Sequence, residues 1–91
     1  VCGDVCIWKP SEKTPLTAIA CHKILENVLI KNNIPPGVFS LILGDFKIGE
    51  LISNDPKVAL VSATGSVRMG KKVATAVASR LGKSLLELGG N

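Results

Sequence analysis

With 91 residues, a net charge of +4, 46% hydrophobic and 20% charged residues, the chain makes one small domain at most. The composition excludes a disordered segment, and no apolar run approaches the ~20 residues needed to span a bilayer. Lysines and arginines are scattered, Lys71-Lys72 is the longest basic run, and Trp8, Phe39 and Phe46 do not interleave with them. This argues against a nucleic-acid partner and for a solvated basic face.

The first apolar run, residues 4–8, has strand length and gives way to Trp8-Lys9-Pro10-Ser11-Glu12. Lys9 and Glu12 stand three apart in a turn. They can both hydrogen-bond the hydroxyls of a ribose, or they can form a surface pair in a polar loop. Thr14 as cap and Pro15 in the first turn then open a helix. Leu16, Ala20, Ile24 and Val28 recur along it every four residues with Ile19 beside them, until Asn32-Asn33 and Pro35-Pro36-Gly37 end it. His22 on this helix has no partner at metal-ligand spacing and reads as a surface residue.

A second strand is expected at 38–43, followed by Gly44-Asp45. Gly44 permits close backbone approach to a ligand or simply makes a turn. Asp45 caps a short helix reaching to about residue 52. A third strand at 58–63 leads into Thr64-Gly65-Ser66, where a helix running to Arg80 begins. Free N–H groups and the dipole at that helix start suit a phosphate, while Ser66 serves either the anion or the cap. Arg80 favours the carboxyl end and Gly82 supplies the stop. The spacing G-S-x-x-x-G is neither the G-x-G-x-x-G fingerprint nor a P-loop. No G-x-S-x-G elbow surrounds Ser62 or Ser66, so serine hydrolysis has no support.

The last strand, 84–88, carries Glu87 inside an apolar run and turns at Gly89-Gly90. That run reads as a buried strand, where lost hydration favours the neutral carboxyl and raises its pKa toward the range of a general base. The plainer alternative is a partly exposed glutamate at a strand end.

The order β-α-β-α-β-α-β predicts an α/β fold with a parallel sheet, and the continuous apolar runs predict strands covered on both faces. Ligands of such sheets bind beyond the carboxyl ends of the strands, where Lys9, Glu12, Gly44, Asp45, Gly65, Ser66 and Glu87 lie. Cys2, Cys6 and Cys21 show neither metal-ligand nor disulfide spacing, and no signal peptide precedes them. Reduced thiols in a cytoplasmic setting are expected. The missing initiator methionine and a start inside a strand predict a fragment.

Together the four strand ends resemble the coenzyme-binding domain of the aldehyde dehydrogenase superfamily. The match runs through V-C-G-D-V-C-I-W-K-P-S-E-K-T-P-L, I-P-P-G-V-F-S-L-I-L-G, the T-G-S-x-x-x-G turn and L-E-L-G-G-N. The C-G-x-V-C-x-W-K start and S-L-L-E-L-G-G-N ending look closest to the antiquitin branch, the α-aminoadipic semialdehyde dehydrogenases. Departures are Ala63, where the family usually has an aromatic, and Asp4 in place of an asparagine.

The resemblance implies that residues 1–91 are the central part of a Rossmann-like NAD(P)-binding domain. Lys9 would contact the adenosine ribose of NAD, with Glu12 as a second contact, and Gly44 and Asp45 would line the adenine side. Gly65 and Ser66 would meet the pyrophosphate, and Leu88 would lie close to the nicotinamide. Glu87 would be the general base. A carboxylate at Glu12 favours NAD over NADP, although Lys9 accepts either. The implied substrate is a small aldehyde and the implied parent a homo-oligomer. The nucleophilic cysteine of the family would lie beyond residue 91, since none of the three cysteines present has its context, so the fragment alone would be inactive. The alternatives are a non-catalytic nucleotide-binding module and a structural domain that binds nothing.

Overall fold

The computed structural model of the chain describes residues 3–90. Val1, Cys2 and Asn91 lie outside the described residues, and with them the thiol read at Cys2 and the last residue of the terminal motif. Seven elements follow in the expected order. They are β1 (Cys6–Trp8), α1 (Pro15–Lys31), β2 (Phe39–Leu41), α2 (Phe46–Asn54), β3 (Leu60–Gly65), α3 (Val67–Ser79) and β4 (Lys83–Leu88). The α/β class and the parallel strands are as the pattern implies.

The strands pair as two two-stranded sheets, β1 with β2 and β3 with β4, where one sheet was expected. Alternation specifies the crossover that joins consecutive parallel strands. It carries no information about which strand of one pair would meet the other. The chain divides accordingly into two compact units, the first running to Phe46 and the second starting at Lys47.

In the first unit Thr14 occupies the cap position of α1, yet its side chain makes no cap hydrogen bond. Pro15 has no N–H to satisfy, which lessens the need for one. At the far end Asn33 adopts φ 55°. The N–H groups of Asn33 and Ile34 donate to the carbonyls of Ile30 and Leu29 at 3.1 and 3.0 Å, closing the helix in a Schellman motif.

The stripe of Leu16, Ala20, Ile24 and Val28 is not the face that α1 buries. Leu16 is 80% and Ile24 68% exposed, whereas Ala18 is 3% exposed. His22, Leu25 and Leu29, spaced along Ala18's side of the helix, are half-buried. His22 stacks on Phe39 of β2 with ring centroids 6.0 Å apart, and Trp8 of β1 meets the same ring at 6.3 Å. His22 is therefore a packing residue rather than a surface one, and its Nδ1 is buried without a partner among the described residues. Apolar residues line both sides of α1, and a four-residue spacing alone does not reveal which side meets the sheet.

In the second unit β3 begins two residues later than the apolar run and continues through Thr64 and Gly65. Val58 is taken by a turn, in which Asp55 accepts from the N–H of Lys57 at its Oδ1 (2.8 Å) and from the N–H of Val58 at its carbonyl (3.1 Å). Side chains alternate across the β3–β4 pair. Val61, Ala63 and Gly65 share one face with their register partners Ser84, Leu86 and Leu88, the face against α3. Leu60, Ser62, Thr64, Lys83, Leu85 and Glu87 share the other face, and all six are exposed. The expected cover on both faces is thus not met: α3 covers one face of this pair. Val61 and Val77 of α3 are its buried apolar centre.

Arg80 ties α2 to the end of α3. Its Nε donates to the carbonyl of Ser53 at 2.9 Å, placing a cation on the last turn of α2. The helix stop differs from the expected one. Leu81, not Gly82, takes the left-handed conformation (φ 58°), and the N–H groups of Leu81 and Gly82 close the Schellman motif on Ala78 and Val77, both at 3.0 Å. Gly82 is needed instead for space, since a Cβ there would lie 2.7 Å from Arg80 Nη1 and 3.0 Å from Val77 Cγ1.

A leucine in the left-handed region is strained, and Leu81, 95% exposed, gains no packing in return. Leu81→Gly is expected to raise the unfolding free energy by about 1 kcal/mol in urea titration. Asn33→Gly at the equivalent place in α1 is expected to change it little, because asparagine tolerates this conformation.

Candidate functional site

Parallel strands end on the same side, so each pair brings two chain segments together there. In the first unit the register sets Trp8 opposite Leu41, and the N–H of Ile42 donates to the Trp8 carbonyl at 3.0 Å. Lys9 leaves the end of β1, and Gly44-Asp45 follow β2 just ahead of α2. Lys9 is half-buried, and its Nζ turns back to the Pro10 carbonyl at 3.0 Å rather than toward Glu12. Glu12 is exposed in a turn held by Ser11, whose carbonyl accepts from the N–H of Thr14 at 3.1 Å and whose Oγ accepts from that of Lys13 at 3.3 Å. Gly44 is half-buried and Asp45 exposed.

In the second unit the register sets Thr64 beside Glu87 and Gly65 beside Leu88. One further bond extends the ladder past the strands, from the N–H of Gly89 to the carbonyl of Gly65 at 2.7 Å. The chain then turns into α3 at Ser66, which keeps an extended conformation (φ −70°, ψ 154°) and caps the helix by accepting from the N–H of Met69 at 3.2 Å. The N–H groups of Val67 and Arg68 stand in the first turn, where no intrahelical acceptor exists. No acidic residue occupies that turn, and Arg68 adds a positive charge. A helix start of this kind is able to accept an anion.

Two glycines shape it. A Cβ on Gly65 would collide with Met69 Cε, and a Cβ on Gly70 would collide with the Leu88 side chain. Gly70 is buried, and its lack of a side chain lets α3 lie directly on the end of β4. The sequence showed the spacing of Gly65 and Gly70, but nothing in it named Leu88 as the partner. Glu87 is exposed on the open face. The premise of a carboxylate dried by a buried strand is therefore not met in this chain, for want of a layer over that face. Glu26 on α1 is held below the usual carboxylate range by the hydrogen bond from Lys23 (3.0 Å) and then by its charge.

The open concavities lie elsewhere. One of about 580 Å³ is lined by Glu50, Asn54, Lys71, Lys72 and Thr75 among others, and one of about 520 Å³ by His22, Leu29, Ile34 and Phe39. Neither concavity is lined by the candidate residues at the strand ends, which are marked by their hydrogen-bonding geometry. No group of His, Cys, Asp or Glu among the described residues is arranged to hold a metal ion. No helix there is long and apolar enough to cross a membrane.

Comparison with known proteins shows the family. The profile of the aldehyde dehydrogenase family matches residues 1–91. The chain is 46% identical over 91 residues to the alpha-aminoadipic semialdehyde dehydrogenase of Mus musculus, covering all of this chain and 17% of that protein. The crystal structure of lactaldehyde dehydrogenase from Escherichia coli superposes with a TM-score of 0.86 at 44% identity, over 97% of this chain and 18% of that one. Betaine aldehyde dehydrogenase from Staphylococcus aureus in complex with NAD+ superposes with a TM-score of 0.85 at 38% identity, over 94% of this chain and 16% of that one. The chain thus spans less than a fifth of the length of these proteins. With a family profile matched from end to end and the same fold in solved relatives, the chain belongs to the aldehyde dehydrogenase family.

Proposed function

We propose that residues 1–91 form the central part of the coenzyme-binding domain of an NAD(P)-dependent aldehyde dehydrogenase that oxidises an aldehyde to a carboxylic acid. The observation that carries this reading is the β3–β4 register. It sets Glu87 and the Gly65-Ser66 turn on adjacent strand ends, where α3 begins. The residues fit an anionic dinucleotide, because the first turn of α3 offers unsatisfied N–H groups, no acidic side chain and a glycine where a backbone must be approached. NAD, when bound, supplies the hydride acceptor.

The chain's own residues then divide the work. Gly65, Ser66 and the amides after them take the pyrophosphate, and Lys9 takes the adenosine ribose with Glu12 as a second contact. Lys9 can do so by exchanging its bond to the Pro10 carbonyl for one to a hydroxyl. Gly44 and Asp45 line the adenine side, and Leu88 borders the nicotinamide end. Glu87 accepts a proton, from the nucleophilic thiol of the parent enzyme or from the water that hydrolyses the resulting thioester. Its carboxylate is exposed on the open face, where no layer of the described residues covers it. A carboxylate at Glu12 disfavours a 2′-phosphate and supports NAD over NADP. The likeness to the mouse semialdehyde dehydrogenase supports a semialdehyde as substrate, and the free, exposed thiols of Cys6 and Cys21 support a reducing, cytoplasmic setting.

In the full-length enzyme Glu87→Gln is expected to lower kcat by about 10²–10⁴-fold while the Kd for NAD stays unchanged. Turnover at the wild-type rate would sink the assignment. Ser66 separates two roles. Ser66→Ala is expected to lower stability by about 1 kcal/mol through loss of the cap. Ser66→Asp keeps the cap but sets a charge against the pyrophosphate, and NAD titration should then show affinity reduced about tenfold at unchanged melting temperature.

A further inference from the structure

From the packing of α3 on β4 we infer that Gly70 is a positioning residue for Glu87, acting through Leu88. The inference rests on the reading of Glu87 as general base. Leu88 is the last residue of β4 and points to the α3 face, while Glu87, its neighbour, points to the open face. Nothing covers Glu87 from its own side, since every residue of that face is exposed. Its position is therefore set by its backbone, and that backbone is fixed from behind.

Two restraints do this. On one side the N–H of Gly89 is bonded to the Gly65 carbonyl at 2.7 Å. On the other the Leu88 side chain fills the space over Gly70, where an added Cβ would lie 2.6 Å from its Cδ1 and 3.0 Å from its Cγ. Gly70 is buried on α3, and the helix start four residues before it is the proposed pyrophosphate turn. The helix that holds the phosphate turn thus also seats the strand that carries the base. A side chain at position 70 forces the Leu88 side chain, 37% exposed, to give way, and on this inference the end of β4 moves with it and carries Glu87 along.

The test is a double-substitution cycle in the full-length enzyme. Gly70→Ala is expected to lower kcat by about tenfold to a hundredfold, the scale for a catalytic group moved by an ångström or less. The KM for NAD should change much less. Leu88→Val withdraws the terminal methyls from the space over Gly70. Combined with Gly70→Ala it should restore most of the lost kcat, although alone it loosens the seat and lowers kcat. Independent, multiplying losses in the double variant would overturn the inference, as would wild-type kcat in Gly70→Ala. Should Gly70→Ala fail to fold, Leu88→Val decides alone, an unchanged kcat counting against the inference. Glu87→Gln run alongside separates the two readings. Full turnover in that variant removes the base assignment and this inference with it, whereas an inactive Glu87→Gln beside an unimpaired Gly70→Ala removes only the role of Gly70.

Discussion

Parallel strands cannot be joined by a tight turn, so the chain between β3 and β4 must travel back along the sheet before it can pair. Here α3 makes that return, and the pairing that results runs unbroken from Leu60 with Lys83 to Gly65 with Leu88. The rest of the second unit depends on this pairing. It delivers two strand ends to the same edge, and it forces the connecting helix to begin at that edge. It therefore puts a carboxylate beside a glycine turn and its row of free amides, although the carboxylate comes from a distant part of the sequence. The same logic holds in the first unit, where β1 and β2 release Lys9 and Gly44-Asp45 at a shared end.

The exposure of the apolar residues follows from how few layers the chain supplies. The β3–β4 pair has α3 on one face and nothing on the other. Among the described residues Ala18, Val61 and Val77 are the buried hydrophobic ones, while Leu16, Ile24, Leu51, Leu60 and Leu85 stay open. A fully buried large aliphatic side chain contributes about 1.5–3 kcal/mol, so most of the apolar content here is not yet stabilising the fold. The relatives are much longer, the matched stretch spanning 17% of the mouse protein.

Element order, strand direction and the strand-end residues were legible in the sequence because each has a local signature: apolar run length, Pro15 at a helix start, Ser66 ahead of a helix. Local signatures stop where tertiary choice begins. Both stripes of α1 are apolar, so only contact with Phe39 distinguishes the side bearing Ala18 and His22 from the one bearing Leu16 and Ile24. Gly82 looked like the helix stop because glycine takes positive φ easily, yet the geometry placed that burden on Leu81 and kept Gly82 for its lack of bulk. The environment of Glu87 depended on whether its strand is covered, which an eight-residue motif does not encode. The partnership of Gly70 with Leu88 joins residues far apart in sequence, and no periodicity points to it.

The bond from Gly89 to Gly65 has a use beyond holding the ladder together. It is the last rung, it lies between the two proposed chemical tasks, and its donor is a single backbone proton on a residue with no side chain to complicate its signal. Solvent exchange at that amide therefore gauges how firmly the phosphate end and the proton-accepting end are coupled. Opening on either side frees the same proton, so one resonance reports on the integrity of both.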